Sequence, residues 1–234
     1  MGLGELAAAI GKAYLGFKAI ETGWDALRTG LGGINGELRG LEAKRVAVSD
    51  LKRGGRGKAM VLKTYPVYSI EDRIRYIRQM TQKGLDDPRI RAIATSVITK
   101  ECGKGKDGET IWCTPEKDHR AEVEAIFRAV KRRVRYVRDI VKKDTYQSPI
   151  RSWEMRASDC DDFSSLLAAL LGSVGYTCRF RVIKTKKASD WDHIFLLVKM
   201  PKTGQLFPLD ASVNKPPGWH PPREMIAQMR DFDV

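Results

Sequence analysis

One stretch constrains this chain more than any other: Ala157-Ser158-Asp159-Cys160-Asp161-Asp162-Phe163, continued by Ser164-Ser165-Leu166-Leu167-Ala168-Ala169-Leu170-Leu171. Its second half predicts an apolar helix, and its first half predicts where that helix begins. Asp159 is suited to act as N-cap, accepting an orphan backbone N–H. Asp161 and Asp162 fall in the first turn, where carboxylates suit the positive end of the helix dipole. Cys160 therefore stands where unpaired amides and that dipole favour a thiolate over a thiol. The carboxylates beside it push the other way, so a nucleophile here requires a positive partner.

The partner is found by elimination among His119, His193 and His220. His119 lies among charges before a basic helix, and His220 is boxed by prolines in Pro216-Pro217-Gly218-Trp219-His220-Pro221-Pro222. His193 opens His193-Ile194-Phe195-Leu196-Leu197-Val198-Lys199-Met200, a run whose β-branched and aliphatic density predicts a buried strand. Pro201-Lys202-Thr203-Gly204 is a turn, and Gln205-Leu206-Phe207-Pro208-Leu209-Asp210 a returning strand. Folding that hairpin brings Asp210 within a residue or two of His193, where a carboxylate could orient the imidazole and stabilise it once charged.

The order Cys160, then His193 on a strand, then Asp210 on the next resembles the transglutaminase-like superfamily of papain-type cysteine enzymes. The resemblance covers roughly Ser69 to Ala211. It rests on Asp159-Cys160-Asp161-Asp162-Phe163, the helix running to Gly172 and Gly175, the strand Cys178-Arg179-Phe180-Arg181-Val182, Asp192-His193 and Leu209-Asp210-Ala211. It implies acyl-thioester chemistry at an amide bond, with Cys160, His193 and Asp210 as the catalytic residues and a protein or peptide as substrate. It implies no particular acyl donor or acceptor. Related enzymes place an oxyanion-stabilising donor upstream of the nucleophile; Gln147 offers an amide and Trp153 an indole N–H, and spacing does not choose between them. The fold implied is α+β: a papain-like, transglutaminase-core domain with the nucleophile helix packed on an antiparallel sheet, preceded by a helical N-terminal arm. Small transglutaminase-like proteins also occur among virion and tail components of tailed bacteriophages. A compact enzyme with such an arm resembles one of them, and a structural or assembly protein using the domain as a scaffold is the rival reading.

At 234 residues the chain can bury one ordinary core with length left for an appendage. A formal charge of +13 favours polyanions or acidic surfaces without identifying nucleic acid, which is not the favoured partner because interleaved aromatics are missing. No secretory signal pattern opens the sequence and no long uncharged apolar run occurs, so the expectation is a protein made in the cytoplasm and incorporated into a particle if the phage resemblance holds. Nothing reads as a cofactor or metal motif. Cys102 and Cys113 flank a polar loop and could form a disulfide in an oxidising compartment; a zinc site with His119 lacks a fourth ligand.

In chain order, Leu3, Leu6, Ile10, Ala13, Phe17, Ile20, Trp24, Leu27, Leu31, Ile34, Leu38 and Leu41 form a heptad pattern, which predicts an amphipathic arm over 1–41. Small residues at Ala9, Gly16, Gly23 and Gly30 would allow close approach of a protein partner or a second copy. Residues 42–68 read as a basic flexible linker, loosest at Lys52-Arg53-Gly54-Gly55-Arg56-Gly57-Lys58, and 69–234 as the catalytic domain. Within it, Ser69 caps a first helix, Asp87-Pro88 starts a second, and a third runs from about Lys117 to Lys143. That third helix turns Val123, Ile126, Phe127, Val130, Val134, Val137 and Val141 inward and its arginines to solvent or an acidic partner. Arg223 to Phe232 reads as a short helix.

Overall fold

The computed structural model describes residues 44–49, 62–139 and 143–234, with backbone alone at 44–49, 62–67 and 143. The elements in order are strands β1 (Lys44–Ser49) and β2 (Leu62–Val67), helices α1 (Ile70–Leu85) and α2 (Pro88–Ile98), and a hairpin of β3 (Glu101–Lys104) and β4 (Thr110–Trp112). Helix α3 (His119–Arg133) follows, then β5 (Arg135–Tyr136), β6 (Lys143–Gln147), α4 (Pro149–Met155), β7 (Ala157–Ser158) and α5 (Cys160–Ser173). Strands β8 (Cys178–Thr185), β9 (His193–Lys199), β10 (Leu206–Leu209) and β11 (Ile226–Asp233) close the chain.

Helix α5 is the axle. Asp161 through Leu171 are all buried, and α1, α2, α3 and α4 pack on it from one side while β9 and β8 cover another. Leu166, Leu167, Leu170 and Leu171 are each excluded from water, worth roughly 1.5–3 kcal/mol per side chain. The sheet runs β10-β9-β8-β11, antiparallel throughout. Because successive side chains alternate faces, Phe180, Val182, Ile194, Leu196 and Val198 join the main core around α5. Ile183, Phe195, Leu197 and Ile226 form a second cluster on the far face. Strand β9 is thus buried on both faces, as its unbroken apolar run requires.

The caps follow the sequence. Ser69 Oγ accepts the Asp72 N–H at 3.2 Å while Asp72 accepts Tyr68 N–H at 3.1 Å, and Asp87 accepts Arg89 N–H at 3.0 Å ahead of Pro88. Cys102 and Cys113 are joined in a disulfide across the exposed hairpin. Their sulfurs are therefore withdrawn from any zinc site, and His119 Nδ1 lies instead 3.2 Å from the Tyr176 hydroxyl. Among the described residues no helix is long and apolar enough to cross a membrane.

Three expectations need correction. The third helix stops at Arg133: Val134 turns extended, and Arg135 N and Val137 N donate to Arg156 O and Ser158 O, both at 2.9 Å. Helical periodicity continued through residues whose backbone found a strand partner, β7, and Val137, expected inward, is exposed; Val141 lies outside the described residues. The C-terminal segment is a single 3₁₀ turn followed by β11, which pairs with β8 over its length. Cross-strand pairs Arg181–Asp231 and Arg179–Asp233 align it, but exposed pairs are worth under about 1 kcal/mol each, so the backbone ladder and the burial of Ile226 decide the outcome. Finally, parts of 42–68 are strands: β1 pairs antiparallel with β2 and parallel with β6, and the compact unit runs Ala43–Val234. The glycine-rich stretch 52–58 and the arm 1–41 lie outside the described residues.

Helix α1 reaches α5 closely at one point. A Cβ added to Gly84 would lie 2.5 Å from Pro149 Cγ and 2.8 Å from Ala169 Cβ, in packed core where neither can retreat. Gly84→Ala is expected to destabilise the domain by about 1–3 kcal/mol despite alanine's better helix propensity, measured by urea unfolding.

Candidate active site

The N-terminus of α5 is fixed by a ring of hydrogen bonds. Asp159, in extended conformation, accepts Asp162 N–H at 3.3 Å as N-cap. Asp162 in turn takes Gln147 N–H on one oxygen and Gln147 Nε2 on the other, both at 2.7 Å. Ser164 Oγ donates to Cys160 O at 2.7 Å, tightening the first turn. Cys160 is thereby set, half-buried, between the end of β6 and the start of β9.

His193 is the first residue of β9, opposite Ile183 of β8. Strand β10 pairs Leu209 with Leu196, so Asp210 emerges at the His193 end of the hairpin. Asp210 Oδ2 lies 2.7 Å from His193 Nε2, while Oδ1 accepts Ser212 N–H at 3.2 Å and Ser212 Oγ–H at 2.7 Å. The carboxylate is 3% exposed. With Nε2 taken, Nδ1 is the ring nitrogen left for a proton relay. The loop before His193 is anchored twice: Asp192 accepts Thr185 N–H and Oγ–H at 2.7 Å, and Arg73 donates to Trp191 O and Asp190.

Cys160 and His193 line one cavity of about 190 Å³, together with Tyr136, Tyr146 and Trp191. Asp210 stands behind the imidazole. Gln147 and Trp153 are not brought to this cavity. The Gln147 amide is spent on Asp162 and, at 3.2 Å, on Ala157 O, so it holds the helix end and has no free donor for a bound carbonyl. Trp153 packs on the core under the Arg133 guanidinium, 4.6 Å from ring to Cζ. Sequence reasoning missed Tyr136, because the helical stripe was carried through it. A signal was present in Val134-Arg135-Tyr136-Val137, whose β-branched and aromatic residues suit a strand better than a helix.

The electrostatics of the cysteine differ from the sequence expectation. Burial holds the Cys160 thiol well above its ordinary value, and the carboxyls of Asp161 and Asp159 add to this; the backbone N–H of Ile194 works in the opposite direction. The helix dipole does not prevail. The carboxyls are themselves displaced upward: Asp159 to about 9, first by burial and then by Asp161; Asp161 to about 8 by burial; Asp139 to about 7 by burial and Asp159. Asp161 and Asp139 both stand close enough to act on Asp159, the first raising its pKa and the second lowering it. Oxygens of Asp159, Asp161 and Asp162 lie within 4.8 Å of one another, a spacing a cation could use. Both Asp162 oxygens already accept from Gln147.

Residues 109–211 match the family model described as the transglutaminase-like superfamily. The fold there is transglutaminase-like. That segment carries α3, α5, β8, β9 and β10, and with them Cys160, His193 and Asp210. Two solved structures are similar: one described as a "putative cysteine protease" from Cytophaga hutchinsonii, at 18% identity over 53% of this chain and 37% of that one, TM-score 0.37; and one described as a "putative protease" from Parabacteroides distasonis ATCC 8503, at 10% identity over 60% of this chain and 26% of that one, TM-score 0.42. The chain thus spans well under half the length of either. No curated protein matches it at significance.

Two outcomes follow from the carboxyl cluster. Groups whose folded pKa lies above the unfolded value bind extra protons in the native state, so their contribution is complete at low pH and is lost as pH rises through about 7 to 9. Thermal midpoints should therefore fall between about pH 5 and pH 9, and Asp139→Asn should flatten the slope. Asp161→Asn should lower the Cys160 pKa and speed its alkylation by iodoacetamide several-fold above about pH 8, where Asp161 is ionised, read by peptide mass mapping.

Proposed function

We infer that the chain is a cysteine-dependent hydrolase of peptide or amide bonds, working through a thioester on Cys160. The observation that carries this is the His193–Asp210 pair at 2.7 Å, its carboxylate buried and held by Ser212, with His193 on the same cavity as a cysteine at a helix N-terminus. The raised pKa keeps Cys160 a thiol at rest, with His193 acting as general base during attack. His193 Nδ1 takes the Sγ proton as sulfur adds to the carbonyl carbon. Asp210 stabilises the imidazolium, and the same proton passes to the leaving nitrogen as the C–N bond breaks. Water then gives its proton to His193 and attacks the thioester; the acid leaves and the proton returns to sulfur.

The oxyanion needs donors. The Cys160 backbone N–H at the start of α5 is one, and the Tyr136 hydroxyl on the cavity wall replaces Gln147 and Trp153 as the upstream one. Tyr136→Phe should lower kcat by roughly 10–1000-fold with little change in KM.

Transfer to a primary amine is favoured by one feature, the carboxyls of Asp139, Asp144, Asp159 and Asp161 on the cavity wall. Burial keeps Asp139, Asp159 and Asp161 towards the neutral form, and Arg73 stands 3.6 Å from Asp144, so the wall attracts an ammonium weakly. Hydrolysis is the better reading. The test is a glutamine-containing peptide library offered with and without a primary amine, products read by mass spectrometry. Acid product that disappears in Cys160→Ala and in His193→Ala is expected; a Cys160-dependent amine conjugate in excess would assign transfer instead, and no Cys160-dependent product would overturn the enzyme reading.

A further inference from the structure

Beside the cavity, the chain leaves α3 as Arg135-Tyr136-Val137-Arg138, four consecutive exposed residues. They form one side of a two-stranded parallel ribbon whose other side, β7, follows directly on exposed Met155 and Arg156. Tyr136, Val137 and Met155 are 48%, 54% and 55% exposed, an apolar group that the core does not need. Among the described residues, Arg135, Arg138 and Arg156 form no ion pair. Arg128 by contrast pairs with Glu124 and Arg89 with Asp87 and Glu154, while Arg133 lies on Trp153. Three arginines without an ion pair among the described residues thus lie next in the chain to exposed apolar residues on this ribbon, and one of those residues, Tyr136, also lines the cavity that holds Cys160.

We propose that this ribbon is the docking surface for an acidic, apolar-bearing segment of the polypeptide whose amide bond enters the cavity. Charge complementarity selects the occupant. Guanidiniums match carboxylates bidentately, and an apolar strip framed by cations suits a segment that alternates acidic with aliphatic or aromatic side chains. A polyanion without apolar groups would leave Val137 and Met155 uncovered. Continuity with the cavity through Tyr136 makes the docked segment the flank of the scissile residue. The proposal rests on the hydrolase reading for the name of its ligand as substrate, but docking itself does not require chemistry.

The full chain carrying Cys160→Ala separates the two. Fluorescein-labelled peptides of about 12 residues, one Glu/Leu/Phe-rich and one with Lys in place of Glu, are titrated by anisotropy at about 150 mM and about 500 mM salt. The acidic peptide should bind, weaken with salt, and weaken at least about tenfold when Arg135→Gln and Arg138→Gln are combined with Arg156→Gly. Glycine fits the left-handed backbone at Arg156 (φ 60°), so that change removes charge without straining the fold. Val137→Ser with Met155→Ser should weaken binding as well. A control of equal charge loss at exposed Lys106, Lys187 and Lys202 should change it less than about twofold. Equal losses in ribbon and control variants would reduce the effect to the net charge of +13 and overturn the proposal. So would equal binding of the lysine peptide, or ribbon-dependent binding of a single-stranded oligonucleotide tighter than that of the acidic peptide. Binding that appears only after removal of residues 1–41 would assign the surface to this chain's own N-terminal segment. Because the thiol is absent, binding without any later detection of hydrolysis would leave the docking surface standing and the enzyme reading fallen; the converse holds equally.

Discussion

The structure depends on burying α5 while keeping its first turn at a cavity. A helix whose residues from Asp161 to Leu171 are all buried has no solvent face on which to place its polar groups, so each needs a partner. Ser164 finds Cys160 O and, at 3.3 Å, Ile194 O of β9; Ser165 lies 3.0 Å from the Thr81 hydroxyl, and Asp162 is taken by Gln147. These contacts lock α5 against α1, β6 and β9 at once. Cys160 is positioned as a consequence, because the residue at the first turn cannot move without dragging four packed helices and a sheet.

That same burial explains the electrostatics. Carboxyls at a helix N-terminus are ordinarily stabilised as anions by the dipole, an effect of roughly 0.3–1 kcal/mol at an exposed end. Desolvating a charge costs several kcal/mol, so here burial outweighs the dipole and displaces Asp139, Asp159 and Asp161 upward. The cysteine beside them is held as a thiol. A cysteine used as a nucleophile in such surroundings would rely on a base during the reaction rather than on the helix dipole at rest.

The two sides of the cavity are built on different principles. One is the antiparallel hairpin β9–β10, whose register brings Asp210 to the His193 end while Ser212 holds its carboxylate. The other is a set of short pieces: β5 and β7 paired over two residues, β6 paired with β1 and tied through Gln147 to Asp162, and α4. The hairpin side carries His193 and Asp210; the irregular side carries Tyr136 and the exposed arginines.

The sequence by itself determined the capped helices, the position of Cys160, the apolar strand begun by His193 and the hairpin that returns to Asp210. In each, a local signal agreed with what packing required: Asp159 is both a good cap and the residue next to the turn, and the run from Ile194 to Val198 is apolar because both sheet faces are covered. Only the tertiary structure decided the rest. Val134-Arg135-Tyr136-Val137 is compatible with a helix until β7 is present to pair with it. Ile226 to Asp233 becomes a strand because β8 offers an unpaired edge, and Gln147 loses its candidacy as an oxyanion donor because Asp162 is within its reach. The titration of the acidic residues was equally beyond the sequence, since it depends on how many carboxyls share one dry space, and residues 139 and 159 come together only in the fold.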